Sequence, residues 1–276
     1  MRILVTNDDG IDAPGIIHLA EAMVGLGEIV VIAPDQEFSG ASAAIGAIWE
    51  QHPTVWRRDD FPVDGIAEAW AVGGPPALCV MYARLGAFGD PFDLVVSGIN
   101  PGANVGRSVY HSGTIGACLS GRNGGWSGVA VSQAAASWGV EGQAWHEVLA
   151  LQKWPTAARI ARGFVEGLIT ALPTEPVVAN LNVPNVDFDD LRGWSLTQVG
   201  QLPPRAMTEA VLLPRDGDPD AFDVKMTSGD KIDLPIGTDG GMIEADGVSV
   251  TYLSRLDATV RADMGAAESS LDALLA

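Results

Sequence analysis

Residues 2–10 read RILVTNDDG, an apolar run that ends in two adjacent carboxylates. A short, continuous apolar segment fits the interior of a sheet, so Arg2 to Thr6 is predicted to be a buried strand. Asp8 and Asp9 follow at its carboxyl end. Neighbouring carboxylates repel each other, and a divalent cation offsets that repulsion. Asp-Gly is also a common turn pair, so the stretch taken alone fits an ordinary turn as well.

The strand–helix pattern that begins here repeats through the first two-thirds of the chain. Residues 15–26 carry apolar side chains at helical spacing, and residues 28–33 form the next apolar run. The same reasoning predicts strands at 70–72, 94–97, 129–132 and 177–183, and helices at 75–85, 114–122 and 155–172. Apolar strands that alternate with helices predict an α/β fold with a mostly parallel sheet and helices on both faces.

The composition changes near Gly200. Residues 201–238 are rich in Pro, Asp and Gly, strand-like alternation returns at 248–253, and a short helix is predicted from Ala262 to Ala276. We therefore predict one domain over residues 1–276, made of an α/β core (1–199), a β-rich assembly extension (200–253) and a C-terminal tail (254–276). The extension alone would bury little apolar surface, so we expect a partner subunit to supply the missing contacts.

The chain has 276 residues, a formal net charge of −19 and only two cysteines. A negative field of this size opposes binding to the phosphate backbone of duplex nucleic acid. Two cysteines are too few for a disulfide framework, and no apolar stretch approaches the roughly 20 residues that span a bilayer. The N-terminus shows no secretory pattern. We therefore expect a cytoplasmic protein without membrane or duplex nucleic-acid partners.

Polar side chains follow several of the predicted strands. The carboxyl ends of parallel strands meet at one edge of a sheet, and ligands bind there. Besides the two carboxylates, this edge is predicted to collect Ser39 after the second strand and Asn100 after the fourth. Carboxylate, hydroxyl and amide oxygens are hard ligands, which favour Mg²⁺ or Mn²⁺ over Zn²⁺. Few protein ligands would leave coordination positions for water and a phosphate oxygen.

A phosphate site is predicted beside these ligands. Ser112, Gly113 and Thr114 directly precede a helical segment, and free N–H groups at a helix start favour an anion. Ser112 or Thr114 would equally serve as an ordinary N-cap. Gly40 and Ser42 would approach the same ligand from the other side. The residues predicted to bind substrate phosphate are Asn7, Gly40, Ser42, Asn104, Ser112, Gly113 and Thr114.

These motifs resemble those of the SurE (survival protein E) nucleotidases. The resemblance rests on 7–10 with 13–15, on 33–35 with 39–42, and above all on the run 95–104 continuing through 112–114. Residues 182–184, 237–239 and 247–251 also fit. The resemblance implies a Rossmann-like core and dimers or tetramers that exchange C-terminal elements. It implies hydrolysis of nucleoside 5′- or 3′-monophosphates, with one divalent metal per subunit on Asp8, Asp9, Ser39 and Asn100.

Several positions depart from the pattern of that family. Gln36 and Phe38 stand where basic residues are common, and Ala43 stands where Asn is common. Arg107 and Ser108 replace residues that are often acidic. Residues 76–78 replace a more polar pattern that includes an acidic residue. These departures leave the predicted metal ligands intact and bear on substrate preference and turnover.

The predicted chemistry is direct attack by a metal-activated water, with Asp8 and Asp9 as the catalytic residues, because no Cys or His lies in a clear nucleophile motif. One alternative is a nucleotide- or nucleotide-sugar-binding enzyme on the same kind of sheet, with Asp35 as a ribose ligand; the first strand lacks the G-x-G-x-x-G turn that this requires. A non-catalytic assembly protein is a second alternative. A Ser-His-Asp hydrolase using His111 is a third, without a G-x-S-x-G elbow.

Overall fold

The computed structural model describes residues 1–46, 48, 52–135, 145–202, 207–259 and 261–275. Residues 203–206 of the predicted extension and Ala276 of the predicted tail helix lie outside these ranges. The strands are β1 (Arg2–Thr6), β2 (Glu28–Pro34), β3 (Val55–Arg57), β4 (Glu68–Val72), β5 (Leu94–Pro101), β6 (Ser127–Gln133), β7 (Val178–Val183), β8 (Trp194–Leu196), β9 (Met207–Arg215), β10 (Asp218–Ser228) and β11 (Val248–Tyr252). The helices are α1 (Pro14–Met23), α2 (Pro76–Arg84), α3 (Gly113–Asn123), α4 (Trp145–Ala150), α5 (Trp154–Thr170), α6 (Asp239–Glu244) and α7 (Gly265–Leu275).

Nine of these strands form one sheet in the order β3-β4-β2-β1-β5-β6-β7-β11-β8. The six from β4 to β7 are parallel, whereas β3 and β11 run antiparallel to their inner neighbours. The order of the parallel strands reverses between β1 and β5, the kind of switch point where α/β sheets bind ligands. The predicted Rossmann-like fold, with its mostly parallel sheet, is confirmed.

Both faces of the sheet are buried, as the apolar strand sequences predict. Within β1, Ile3 and Val5 belong to one core cluster with residues of α1 and α5. Leu4 points to the other face, in a cluster with residues of α2 and α3. Side chains alternate across a strand, so a strand that is apolar throughout has to be covered twice.

The residues after 199 divide differently from the prediction. β11 pairs with β7 in the main sheet, and Val248 and Val250 lie in the core. By contrast, β9 and β10 pair only with each other, as a two-stranded antiparallel hairpin. Among the described residues of the predicted extension, β11 therefore belongs to the main sheet, whereas the β9–β10 hairpin does not. No described helix has the length and hydropathy needed to cross a membrane.

Candidate active site

The turn after β1 fixes the two carboxylates. Asn7 Nδ2 donates to the Gly10 carbonyl at 2.8 Å, and Gly10 adopts φ +101°, a conformation that favours glycine. The Asp8 carbonyl accepts the Phe38 N–H at 2.7 Å. This bond joins the loop after β1 to the loop after β2, so the polar residues of both loops meet at one edge of the sheet.

Asp8 lies against the start of α3. Its carboxylate is buried, and Oδ1 accepts a hydrogen bond from Thr114 Oγ1 at 2.6 Å. A Cβ added to Gly113 would lie 2.7 Å from Asp8 Cβ, so only glycine permits this approach. Burial raises the pKa of Asp8, although the Thr114 hydroxyl and the backbone N–H groups of Thr114 and Gly113 oppose that rise. The first turn of α3 therefore holds this carboxylate directly.

Asp9 has no such support. Its Oδ2 is buried and has no hydrogen-bond partner among the described residues. Burial raises the pKa of Asp9 well above its ordinary value, and the negative charges of Asp8 and Glu37 raise it further. A cation at this position would relieve both the desolvation of Asp9 and its repulsion from the neighbouring carboxylates.

One of the two predicted neutral ligands follows β2, and the other lies near the end of β5. Ser39 is exposed, and its Oγ donates to Glu37 Oε1 at 2.8 Å. Asn100 is the residue before the last of β5 and donates Nδ2 to the Gly102 carbonyl at 2.6 Å. This bond orients the amide and leaves Oδ1 as its available acceptor.

The donor set fits a hard divalent cation. Within the part of the chain that is described, no three His, Cys, Asp or Glu side chains lie in a metal-binding arrangement, which excludes a clustered zinc-type site there. Two carboxylates with neutral hydroxyl and amide oxygens make a different kind of site, of the sort that Mg²⁺ and Mn²⁺ take. The unpartnered buried oxygens Asp9 Oδ2 and Asn7 Oδ1 are acceptors that such a cation and its water would satisfy.

The loop at residues 38–44 packs directly on α3. Ser42 adopts φ +52°, and its N–H donates to the His111 carbonyl at 3.0 Å. A Cβ added to Gly116 would lie 1.9 Å from the Ser42 carbonyl oxygen, so the backbones touch. Gly40 has no neighbour within 4 Å of such an added Cβ and faces open space. The predicted phosphate residues from both loops are thereby brought together.

Two hydroxyls in this group already have partners within the protein. Ser112 Oγ accepts the Ile115 N–H at 3.1 Å, which makes Ser112 the N-cap of α3, and Thr114 donates to Asp8. Ser112 is therefore an N-cap, which is the alternative role that the sequence allowed for it. Thr114 holds a predicted metal ligand.

Asn104 has its hydrogen-bond partners in the interior of the protein. It is buried, and its Nδ2 donates to Ser132 Oγ at 2.9 Å. Its N–H donates to Asn182 Oδ1 at 2.7 Å, and its carbonyl accepts from Asn180 Nδ2 at 2.9 Å. Both partner asparagines are fully buried on β7. Asn104 thus anchors the loop after β5 to two neighbouring strands.

Sequence reasoning did not single out Asn180, and it cited Asn182 and Asp239 only as fitting family motifs, without a structural role. Asp239 Oδ2 accepts the Gly106 N–H at 2.9 Å, and Oδ1 accepts the N–H groups of Gly200 and Gly240 at 2.9 and 2.8 Å. The available signal for the asparagines was polar residues at alternate positions of an otherwise apolar strand, residues 178–183. Nothing in the local sequence indicates that Asp239 bonds to these distant backbone groups.

The two cysteines take no part in the site. Cys79 and Cys118 are free and fully buried, and burial raises the pKa of both thiols. A thiol in this state is a poor nucleophile. Both residues belong to the core on the α2 and α3 side of the sheet.

Comparison with known proteins places this arrangement in a family. The sequence profile described as "Survival protein SurE" matches residues 3–205. A 5′-nucleotidase SurE from Aeromonas hydrophila is 34% identical over 273 residues, which cover 99% of each chain. A 5′-nucleotidase SurE from Pseudomonas putida is 36% identical over 261 residues, 94% of each chain. The crystal structure of a SurE protein from Aquifex aeolicus superposes with a TM-score of 0.74 at 26% identity, covering 99% of this chain and 100% of that one.

Proposed function

Because this chain belongs to the SurE family, we propose that it is a metal-dependent 5′-nucleotidase that hydrolyses nucleoside 5′-monophosphates to nucleoside and phosphate. We extend the proposal to 3′-monophosphates as a second substrate class. One observation carries the metal dependence: Asp8 and Asp9 lie side by side, and a buried oxygen of Asp9 has no partner in the described part of the protein. Neither a nucleotide-binding protein nor an assembly protein would require a buried carboxylate whose charge is not compensated.

We assign the metal to Asp8, Asp9, Ser39 and Asn100. A bound Mg²⁺ or Mn²⁺ would supply a water of lowered pKa and polarise the phosphoryl group. Asp8 is fixed by Thr114, so its role is to hold position. Asp9 Oδ2 remains available to accept a proton or a hydrogen bond from the attacking water.

We assign the substrate phosphate to the space between the 38–44 loop and the start of α3. An added Cβ at Gly40 would meet no atom within 4 Å, and the backbone of Ser42 lies against Gly116 of the helix and the carbonyl of His111. The positive end of a helix dipole and its free N–H groups stabilise an anion. The backbone N–H groups of Gly113 and Thr114 already stabilise the Asp8 carboxylate, so the phosphate would share the start of α3 with Asp8.

We propose direct attack by water, because neither cysteine of the chain is available as a nucleophile. Cys79 and Cys118 are buried, and their raised pKa values keep both side chains as neutral thiols rather than nucleophilic thiolates. We therefore expect no covalent phosphoenzyme. The two unpaired thiols also fit a reducing compartment, and we propose that the enzyme is cytoplasmic.

We propose that the working form is a homodimer or homotetramer. Every residue of β9 is exposed, including Leu212 and Leu213. In α7, Leu271 and Leu274 are exposed as well. Apolar side chains concentrated on a projecting hairpin and a terminal helix are typical of surfaces that a second copy of the chain covers. The metal ligands all come from one chain, so assembly would not divide the site.

The direct test is a hydrolysis screen of nucleoside 5′- and 3′-monophosphates with Mg²⁺, Mn²⁺ or EDTA. We expect phosphate release that requires the metal, and loss of release in Asp8→Asn with the fold retained. Asp64→Asn, at an exposed position in the loop before β4, is the matched control. Undiminished hydrolysis in EDTA, or in Asp8→Asn with saturating Mn²⁺, would contradict the metal assignment.

Thermal unfolding with Mn²⁺ separates the alternatives without an activity assay. A ligand that binds only the folded state raises its melting temperature. A metal-site enzyme should therefore be stabilised by Mn²⁺, whereas an assembly protein without the site should not. Asp8→Asn should lose most of the shift.

A further inference from the structure

A cavity of about 200 Å³ opens beside Asp9 on the α1 and α5 side of the sheet. It lies where the start of α1 (Ala13, Pro14) meets Pro101 at the end of β5. The strand order reverses between β1 and β5, so the cavity occupies the switch point of the sheet. It is separate from the start of α3, which lies against Asp8 on the other side.

The far wall of the cavity is apolar and aromatic. Leu149 of α4 and Trp154 of α5 line it, together with the two prolines. Trp154 is held in place by its neighbours: its ring stacks on His18 with centroids 6.4 Å apart and planes 18° apart. The same ring packs so closely on α1 that a Cβ on Gly15 would lie 3.2 Å from it. The wall is therefore a fixed surface suited to a flat apolar group.

Two carboxylates, Asp9 and Glu37, also line the cavity. Even with the proposed cation on Asp9, an anionic group in the cavity would meet the carboxylate of Glu37. Carboxylates accept hydrogen bonds from N–H groups. An uncharged ring with N–H donors at its edge would satisfy both the apolar and the acidic parts of the lining.

The volume sets the size of the occupant. Pockets for drug-sized ligands are about 300–1,000 Å³. At about 200 Å³ this cavity is too small for a whole nucleotide and suits one ring system. Asp9 borders the cavity and belongs to the proposed metal site, so a ring bound here would sit next to the reacting phosphate.

We propose that this cavity is the nucleobase subsite, which receives the uncharged base of the substrate while the phosphate binds on the α3 side. The proposal rests on the nucleotidase function proposed above and assigns substrate recognition to Ala13, Leu149 and Trp154. Among phosphate monoesters, the enzyme would then favour those whose leaving group carries a base.

The cleanest probe is a substitution that enlarges a small side chain lining the cavity. Ala13 lines the cavity with extended backbone (φ −69°, ψ 142°), which any L-residue adopts, so Ala13→Leu should fold. Ala87→Leu makes the same change at an exposed position in the loop between α2 and β5, at the opposite edge of the sheet. Trp154→Ala is a poorer choice because Trp154 belongs to the main core.

Adenosine and ribose are the binding probes, titrated calorimetrically into the metal-loaded protein. Adenosine should bind the wild type and Ala87→Leu alike, at least tenfold tighter than ribose, and Ala13→Leu should weaken adenosine at least tenfold. Equal adenosine affinity in wild type and Ala13→Leu would overturn the proposal. So would failure of adenosine to bind the wild type more tightly than ribose.

Kinetics with adenosine 5′-monophosphate and ribose 5-phosphate give an independent reading, because the two differ only in the base. Ala13→Leu should lower the ratio of their kcat/KM values at least tenfold, chiefly through the KM of the nucleotide. An unchanged ratio would overturn the subsite. A wild type that hydrolyses neither ester would instead defeat the nucleotidase function, while the adenosine titration still decides what the cavity binds.

Discussion

Asp9 is stabilised by few contacts in the folded protein. Its buried oxygen lacks a partner, and two other carboxylates, Asp8 and Glu37, raise its pKa together with burial. A group of this kind lowers the free energy of unfolding whenever it is ionised without a cation. Functional sites often retain such local instability because the ligand relieves it.

Replacing this carboxylate should therefore stabilise the metal-free protein while ending catalysis. We expect Asp9→Asn to raise the melting temperature in EDTA at neutral pH by a few degrees and to lower hydrolysis at least roughly 100-fold, on the scale of losing one key electrostatic group. Thermal unfolding and phosphate release measure the two effects. A variant that loses stability in EDTA would show that the Asp9 charge is already compensated within the protein.

The pH dependence of that stability difference follows from the raised pKa of Asp9. Below the ordinary value of 3.8 the carboxyl is protonated in both the folded and unfolded states. As pH rises through the higher folded-state pKa, the wild type must ionise a buried group and loses stability, whereas Asn does not titrate. The melting-temperature difference between Asp9→Asn and wild type in EDTA should therefore grow from pH 4 to pH 8. A difference that is constant with pH would contradict this.

Gly113 offers a second residue-scale prediction. A Cβ there would lie 2.7 Å from Asp8 Cβ and 2.8 Å from Asp8 Oδ2, so Gly113→Ala must displace Asp8 or the start of α3. A displacement of about 1 Å can lower a rate roughly 100-fold, and we expect a fall of that order in kcat/KM. Gly167→Ala is the matched control, since no atom lies within 4 Å of its added Cβ in α5. It should keep activity and gain about 0.5–1 kcal/mol of stability.

The sequence predicts some of these residues better than others, for a physical reason. Asp8 and Asp9 could be proposed as site residues because a buried strand that ends in charge is a local pattern. The hydrogen bonds of Asn104 could not be predicted from the sequence, because its partners Asn180 and Asn182 become its neighbours only once β5, β6 and β7 align. Thr114 was predicted to face phosphate, but its bond to Asp8 depends on how α3 docks.

At the scale of elements, α6 is hydrogen-bonded to the segment that leads into α3. Asp239 at the start of α6 is fully buried and accepts the Gly106 N–H, where a 3₁₀ turn (Gly106–Tyr110) begins. That turn leads through His111 to Ser112, the N-cap of α3. The Asp239 carboxylate therefore connects the C-terminal part of the chain to the segment that leads to the proposed phosphate site.

Asp239→Asn should disturb this connection. The amide keeps one acceptor oxygen but presents a donor to a backbone N–H that needs an acceptor, a mismatch of about 1–3 kcal/mol. We expect kcat for a nucleoside monophosphate to fall at least tenfold, with a smaller change in Mn²⁺ affinity because the ligands themselves are untouched. Steady-state kinetics and Mn²⁺ titration measure these. Equal losses of kcat and Mn²⁺ affinity would show that Asp239 acts through the metal site instead.

Elements that form local patterns were predictable, whereas those set by distant pairing were not. The parallel strands and α1, α2, α3 and α5 follow from apolar periodicity. β11 was recognised as strand-like but assigned to the extension, because nothing in Val248–Tyr252 shows that it pairs with β7. β3 and β8 have three residues each, which is too short for a periodicity to mark them as strands.

At the scale of the whole molecule, apolar surface is exposed both on the β9–β10 hairpin and at one edge of the main sheet. On the hairpin, Leu212 and Val224 are cross-strand partners that are 62% and 59% exposed. A second apolar surface is the groove of about 770 Å³ that α5 forms with β8 and β11, lined in part by Phe164, Trp194 and Tyr252. Exposed surfaces of this extent favour association between copies of the chain.

The hairpin should therefore be necessary for assembly. We expect light scattering at low micromolar concentration to give at least twice the 28.8 kDa chain mass for the wild type. Leu212→Lys combined with Val224→Glu places opposite charges across the hairpin, which keeps β9 and β10 paired while removing their apolar face. This variant should lose mass toward a smaller assembly and keep Mn²⁺ binding, because the proposed metal ligands all lie in one chain. Leu85→Lys, at an exposed leucine after α2, is the control and should keep the wild-type mass. A fully active wild type with the mass of one chain would rule out the obligate dimer, and an unchanged mass in the hairpin variant would place the interface elsewhere.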